Sequence, residues 1–281
     1  MNWTLSDDPE RYADMVLPLL SRRPQQNTLP LTALESLRAG YRWGPGELVF
    51  GWYTANGTVT GAVSITPPFG ILLAALPPAT ERELVEQLRG GAVPVVDVAG
   101  PEADVRRFAE CWTAGTGLAT EVVIRQRLYS LEALVPPDPL PAGSARLAES
   151  ADLDLVLSWM AEFQQQAEPG AAPVSRPIFQ RRVELGLIWF WTDPAGVAVS
   201  MAGRNVTVAG TSRIGPVYTP VESRRHGYGA AVTAACTQDA LDLGAGQVVL
   251  FTDLANPTSN AIYQQLGYRP LDDRLVLRFV G

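Results

Sequence analysis

The sequence predicts an α/β protein of two tandem mixed domains, each with a central, largely antiparallel sheet flanked by helices. The second half reads as a strand, two helices, an antiparallel meander, a helix, a buried strand, a helix and final strands. The first half repeats this order, and WYTANGTVTGAVS resembles FWTDPAGVAVS in its residues. The proline-rich segment PPDPLPAGSA separates two stretches that each have the length of an ordinary domain.

The domain limits follow from that proline-rich segment. Its closely spaced prolines exclude both a helix and a central strand, so the segment is expected to be a linker. We therefore expect a first domain over residues 1–135, a linker over 136–144 and a second domain over 145–281.

The second half divides into well-marked elements. ARLAES predicts a strand, and Ser150 is the expected cap of the helix ADLDLVLSWMAEFQQQAE. PGAAPVS breaks the chain before the helix IFQRRVELG, which ends at Gly186. LIWFWTD, VAVSMAG, NVTVAG and TSRIGPVYTP predict strands, and GYGAAVTAACTQDALDLG predicts a helix closed by Gly244. QVVLFTDL predicts a buried parallel strand, NPTSNAIYQQLG a helix capped near Asn256 or Thr258, and YRPL and RLVLRFV the last strands.

The first half gives a looser version of the same plan. A helix-rich opening through Leu37 precedes a meander over ELVFGWYTANGTVTGAVSITPPFGILLAA. ATERELVEQLRGG predicts a helix, VPVVDVAG a strand and EADVRRFAECWTAG a helix, and TEVVIRQRLYSLEAL closes the half as a strand.

Composition excludes several classes of function. A net charge of −7 argues against a nucleic-acid binder, which needs a basic face. Cys111 and Cys236 are expected to be buried free thiols, and a single histidine without a CxxC pattern argues against a metal site. No apolar run has the length of a membrane span, and the acidic start MNWTLSDDPERY lacks the apolar segment of a signal peptide, so we expect a cytoplasmic protein.

The loop SRRHGYGAA, residues 223–231, holds the only histidine, His226, directly before a predicted helix. Backbone N–H groups at a helix start lack partners within the helix and carry partial positive charge, and glycine allows a ligand to approach them closely. The loop is therefore expected to bind an anion such as a pyrophosphate through its backbone. His226 is expected to add a weak phosphate contact rather than to act as the catalytic acid or base.

A second motif, FTDLANPTSNAIYQQLGYRPL, follows this loop. Together the two motifs make the second half, from about Ala145 to Gly281, resemble the GCN5-related N-acetyltransferase (GNAT) superfamily. That superfamily has a Q/R-x-x-G-x-G/A loop opening a helix, then a strand, an asparagine, a helix with a tyrosine and a final G-F/Y. The matching residues are Arg224, Gly227, Gly229, Asn256, Tyr263, Gly267 and Tyr268.

The resemblance implies an N-acetyltransferase that uses acetyl-CoA as acyl donor and transfers the acetyl group to a primary amine of a small molecule or peptide by direct attack in a ternary complex. It implies that Tyr263 protonates the leaving thiolate. The residues that it assigns to the coenzyme are Val217, Tyr218 and Thr219 along the pantetheine arm, Arg224, Arg225, His226, Gly227, Tyr228, Gly229 and Ala230 around the pyrophosphate, and Asn256. The acidic chain favours a cationic acceptor, without choosing among a metabolite, an antibiotic and a peptide amine.

The general base is left open by the sequence. Many members carry a glutamate on the strand before the loop, and TSRIGPVYTP has none. Glu162, Glu168, Asp253 and a water relay remain alternatives. The missing glutamate also keeps a second function open, a non-catalytic acyl-CoA sensor or interaction module.

The first half lacks the loop motif. At the corresponding place, LLAALPPATERELVEQL has no R-x-x-G-x-G pattern, and Pro77 and Pro78 remove two backbone donors. We expect this half to be a degenerate copy that binds no acetyl-CoA in the usual way. Its expected role is to complete the acceptor cleft or to form the surface of a homodimer.

Overall fold

The computed structural model describes residues 1–91, 93–167 and 174–281. Packing divides the chain into two units. Unit 1 comprises Met1–Leu128, Asp253–Ala255 and Leu271–Gly281, and unit 2 comprises Tyr129–Thr252 and Asn256–Pro270. These units do not coincide with the expected limits 1–135 and 145–281, because the C-terminal residues pack within unit 1 and the proline-rich segment packs within unit 2.

Unit 1 follows the predicted order of elements, except that its first strand, β1, lies in the stretch where only helices were expected. Its elements are β1 (Asn2–Ser6), α1 (Pro9–Leu20), α2 (Thr28–Arg38), β2 (Val49–Ala55), β3 (Thr58–Ile65), β4 (Ile71–Ala75), α3 (Glu81–Arg89), β5 (Asp97–Pro101), α4 (Glu102–Thr113) and the start of β6 (Ala119–Leu131). The strand order is β1-β2-β3-β4-β5, and the pairs are antiparallel except β4 with β5.

The last strand of the chain, β12 (Tyr268–Val280), completes the sheet of unit 1. It pairs antiparallel with β5 from Arg274↔Pro101 to Arg278↔Asp97. Leu275 and Leu277 on this strand belong to the apolar core of unit 1, where Leu275 is 0% exposed. Apolar burial therefore ties the C-terminal end of the sequence to the N-terminal unit.

Unit 2 repeats the element order of unit 1. Its elements are β7 (Ser144–Leu147), α5 (Leu153–Ala167), α6 (Arg176–Glu184), β8 (Ile188–Thr192), β9 (Ala198–Arg204), β10 (Thr211–Tyr218), α7 (Tyr228–Asp242), β11 (Gln247–Asp253) and α8 (Pro257–Gln265). The strand order is β7-β8-β9-β10-β11, with antiparallel pairs except β10 with β11. The two units share one plan, in which two helices follow the first strand and one helix links the parallel pair.

Helices cover both faces of the unit 2 sheet. Successive residues of a strand point to opposite faces, and the neighbours Met201 and Ala202 of β9 lie in different apolar clusters. Met201 packs with residues of α5 and α6, whereas Ala202 packs with residues of α7 and α8. Any site at the end of β10 therefore lies between two helical layers.

Most predicted helix ends of unit 2 are confirmed. Gly186 and Gly244 follow α6 and α7 with φ of +63° and +87°, the left-handed conformation that glycine tolerates. Asn256 caps α8, accepting from Ser259 N–H at 3.0 Å. The expected cap Ser150 is wrong: a short 3₁₀ turn begins there, and Glu149 caps it through a reciprocal capping box with Asp152.

Two further findings concern the chain as a whole. YRPL and RLVLRFV form the single strand β12 rather than two strands. No helix of the described residues is long and apolar enough to cross a membrane. The predicted break at PGAAPVS lies largely outside the residues that the structure describes.

Candidate active site

An opening between β10 and β11 is the central feature of unit 2. The two strands pair in parallel from Thr211↔Gln247 to Ile214↔Leu250. Both continue past that point, β10 to Tyr218 and β11 to Asp253, but no further pair between them is formed in the described part of the chain. Backbone groups at the end of β10 are thus free of a ladder partner on this side and suited to bind an extended ligand.

A bulge in β10 produces this divergence. The register of β10 against β9 shifts between Ile214 and Val217, after which Val217 and Tyr218 pair with Ala202 and Met201. The end of β10 therefore stays with β9 and leaves β11, as a β-bulge bends a strand. Val217 and Thr219 are half-buried at the opening, and Tyr218 is 4% exposed.

The predicted phosphate loop follows this strand after a short 3₁₀ turn at Val221–Ser223. Arg225 and Gly227 have φ of +66° and +80°, and Gly227 is the N-cap of α7. The first backbone bond of the helix runs from Ala231 N–H to Gly227 C=O at 3.0 Å. The N–H groups of residues 228–230 therefore have no partner within the helix, no side chain caps them, and the first turn holds no acidic residue. This helix end fits an anion.

Glycine and threonine bring the loop close to β10. A Cβ at Gly229 would lie 3.2 Å from Thr219 Oγ1. The Thr219 hydroxyl shares a hydrogen bond of 2.8 Å with Ser200 Oγ, and Thr219 C=O accepts from Arg224 Nε at 2.9 Å. The loop and the strand are thus joined by direct bonds.

His226 is exposed at the surface of this loop. Its ring stacks on Tyr228 with centroids 5.5 Å apart, and Nδ1 lies 3.3 Å from Ser223 C=O. The ring therefore contacts other residues of the same loop.

Tyr263 lies on α8, in the apolar layer that also holds Ile214 and Ala231. Its ring meets Tyr268 edge-on at 6.3 Å. Burial raises the pKa of Tyr263 to about 12, so the hydroxyl holds its proton throughout the neutral range. A protonated tyrosine in this layer can serve as a general acid.

The opposite layer holds a pair that the sequence reasoning did not assemble. Tyr218 is in the cluster with Trp159 of α5, and its hydroxyl donates to Glu162 Oε2 at 2.5 Å. Burial, and next the hydrogen bond to Glu162, raise the pKa of Tyr218. Strand β10 thus contributes a tyrosine, and α5 contributes a carboxylate that is hydrogen-bonded to it.

The other base candidates are placed differently. The Asp253 carboxylate accepts from Ala255 N–H at 2.8 Å, and Asp253 packs with unit 1. Glu168 lies outside the described residues. Among the described residues, Glu162 is the base candidate that is hydrogen-bonded to a residue of β10.

The two cysteines are free thiols in the structure. Cys236 is buried in α7, and burial raises its thiol pKa to about 12, which keeps it protonated and unreactive. Cys111 is half-buried rather than buried as expected. The described residues contain no group of three or more His, Cys, Asp or Glu side chains that could hold a metal ion.

Residues 196–277, which include β10, the loop, α7 and α8, match the family model described as FR47-like protein. No curated protein matches the chain in sequence.

Solved structures match nearly the whole chain in fold. A GCN5-related N-acetyltransferase from Sphaerobacter thermophilus aligns with a TM-score of 0.65 at 16% identity, covering 98% of this chain and 95% of that one. A GNAT-family acetyltransferase from Colwellia psychrerythraea gives a TM-score of 0.61 at 13% identity, with all of both chains covered (100% and 100%). A tandem GNAT protein from the clavulanic acid biosynthesis pathway gives 0.59 at 13%, covering 99% and 98%. These likenesses show that the chain has the fold of the GCN5-related N-acetyltransferases, and the FR47-like match lies within the second half of the chain.

Proposed function

We propose that the protein is an acetyl-CoA-dependent N-acetyltransferase with its active site in unit 2. The acetyl group passes to a primary amine of a small molecule or peptide by direct attack in a ternary complex. The observation that carries the proposal is the opening between β10 and β11, which ends at the uncapped N-terminus of α7.

The residues around the opening fit acetyl-CoA. The free backbone edge of residues 217–219 is suited to the amides of a pantetheine arm, and the N–H groups of residues 228–230 are suited to a pyrophosphate. Arg224 adds a cation beside them, and Asn256, at the start of α8, is proposed to contact the pantetheine. When bound, acetyl-CoA supplies the thioester carbonyl that an amine can attack.

The two tyrosines divide the proton transfers. As the amine nitrogen bonds to the carbonyl carbon, the Tyr218 oxygen accepts the amine proton and its own proton passes to Glu162, to which it is already bonded at 2.5 Å. As the carbon–sulfur bond breaks, Tyr263 gives its proton to the sulfur and later regains one from solvent, and Glu162 releases the proton that it took up to solvent. N–H groups at the end of β10 polarise the carbonyl.

In unit 1, acidic side chains lie at the places that correspond to the unpaired backbone N–H groups of unit 2. Helix α3 carries Glu81 and Glu83 in its first turn, and Glu81 is bonded to Arg107 at 2.6 Å. At the end of β4, Leu76 N–H donates to Asp104 at 3.2 Å. Negative side chains at the helix start disfavour a pyrophosphate, which supports a single acetyl-CoA site per chain.

The acceptor and the enzymatic activity are tested together by thiol release. The purified protein with acetyl-CoA is presented with a panel of primary amines, cationic metabolites and peptides, and free CoA is measured. The proposal expects amine-dependent release, abolished in Glu162→Gln and retained in Glu184→Gln, an exposed carboxylate on α6. Binding of acetyl-CoA without release by any amine would instead favour a non-catalytic acyl-CoA sensor.

A further inference from the structure

A row of four side chains connects the phosphate loop with the proposed base. Arg224 Nη2 donates to Gln166 Oε1 at 2.6 Å, and Gln166 Nε2 donates to the Tyr218 hydroxyl at 3.4 Å. The Tyr218 hydroxyl in turn donates to Glu162 at 2.5 Å. The guanidinium is held in place by its second bond, from Arg224 Nε to Thr219 C=O.

The hydrogen bonds in this row all run in one direction. Arginine has donors only, so Gln166 must turn its oxygen towards Arg224 and its NH₂ towards Tyr218. Tyr218 then has its proton left for Glu162. A chain of bonds that runs from a cation to a carboxylate polarises each member in the same sense.

The charges at the two ends act on Tyr218 in opposite directions. The hydrogen bond and charge of Glu162 raise its pKa, after the larger effect of burial, whereas Gln166 and Arg224 lower it. Among the described residues, Glu162 from α5 and Arg224 from the loop are the charged groups that act on this hydroxyl. The other neighbours, Trp159 on α5 and Ser200 on β9, are uncharged.

We propose that Gln166 is a positioning residue that couples the two substrate sites, so that a pyrophosphate bound at Arg224 strengthens proton uptake by the Tyr218–Glu162 pair. The inference rests on the proposed function. The phosphate charge offsets the guanidinium charge that acts along the row, which leaves the pair a better proton acceptor. An amine is thus deprotonated more readily beside a loaded donor than in the empty enzyme.

The test follows Tyr218 directly and needs no catalysis. Tyrosine labelled with ¹³C at Cζ is titrated by NMR on the alkaline side, with and without CoA, and the Tyr218 signal is identified by its loss in Tyr218→Phe. We expect CoA to raise the titration midpoint of Tyr218 in the wild type and to raise it less than half as much in Gln166→Leu. Gln165→Leu, at an exposed neighbouring position of α5, should behave as the wild type.

A second variant and a kinetic measurement distinguish the loss of coupling between the two substrate sites from a general loss of structure. Gln166→Glu still accepts from Arg224 but cannot donate to Tyr218 when ionised, so it should lose the CoA response as Gln166→Leu does. In both variants kcat should fall about tenfold, part of what acid–base catalysis contributes, while the KM for acetyl-CoA stays within about twofold.

The outcomes distinguish the inference from the proposed function. If CoA binds and the Tyr218 midpoint moves equally in wild type and Gln166→Leu, or moves in neither, the coupling is overturned and the function stands. If CoA does not bind the wild type, the proposed function itself fails.

Discussion

Replacing Gly227 with alanine tests whether the start of α7 is the phosphate site. Gly227 has φ of +80°, and a Cβ there would lie 3.8 Å or more from its nearest neighbours, the carbons of Pro141. The substitution therefore meets strain without a clash. A left-handed alanine costs about 1–2 kcal/mol, so the free energy of unfolding should fall by about that amount if the loop keeps its shape.

The loop can instead relax into an ordinary conformation, and coenzyme binding then weakens. The N–H groups of residues 228–230 would point away from the pyrophosphate. Losing one hydrogen bond to a charged group costs about 1.5–3 kcal/mol. Since about 1.4 kcal/mol is a tenfold change, we expect CoA to bind Gly227→Ala about 10- to 100-fold more weakly.

Calorimetric titration with CoA and urea unfolding of the same samples measure both effects. Gly244→Ala is the matched control, because Gly244 follows the opposite end of the same helix with φ of +87° and nothing within 4 Å of its Cβ position. It should lose similar stability and keep its CoA affinity. Equal CoA affinity in the two variants, together with an unchanged free energy of unfolding in Gly227→Ala that shows its loop has relaxed, would refute the placement of the phosphate site.

Three further predictions concern other parts of the molecule. Tyr263→Phe should lower kcat by about 10²- to 10⁴-fold and leave CoA affinity within about twofold, as measured by thiol release and calorimetry; unchanged turnover would remove Tyr263 as the acid. Cys236, whose thiol pKa burial raises from 9.0 to about 12, should resist alkylation at pH 8 in the folded protein and react once urea unfolds it. Because the thiol ionises at lower pH in the unfolded chain than in the folded protein, Cys236 should lower the free energy of unfolding as pH rises from 9.0 towards 12. Rapid alkylation of Cys236 in the folded protein, detected by mass spectrometry, would contradict its burial. Leu275→Ala, at a position that is 0% exposed, should cost about 2–5 kcal/mol in urea unfolding, and a loss below 1 kcal/mol would argue against the assignment of β12 to the core of unit 1.

The repeated element order and the tight turn before α7 were predictable because their signals are local. A glycine directly before a small-residue helix indicates such a turn, and Gly227 takes a left-handed conformation as the N-cap. Gly186, Gly244 and Asn256 likewise mark helix ends through chemistry that acts within a few residues.

The Tyr218–Glu162 pair was not predictable because its members are far apart in sequence. The strand TSRIGPVYTP was expected to contribute only backbone to the site, and Glu162 was one of several acids on or near the acceptor cleft. Helical spacing does place Glu162 beside the apolar face that contains Trp159 and Phe163, which is the one local signal for it. Its partner depends on how α5 packs on β10, which the sequence pattern does not specify.

The position of the last strand was missed for a related reason. RLVLRFV has the alternation of a half-buried strand, and that pattern sets which residues face a core. The pattern does not determine which other strand this strand pairs with. In the structure the partner is β5, from the first half of the sequence, and the domain limits expected from the linker therefore differ from the units that packing forms.

The number of acetyl-CoA molecules bound per chain tests the central claim most directly. Unit 2 offers an open strand edge and an uncapped helix start, whereas the corresponding helix of unit 1 begins with Glu81 and Glu83. Calorimetric titration of the wild-type protein with acetyl-CoA should therefore give one site per chain. No binding, or two equivalent sites per chain, would contradict the account.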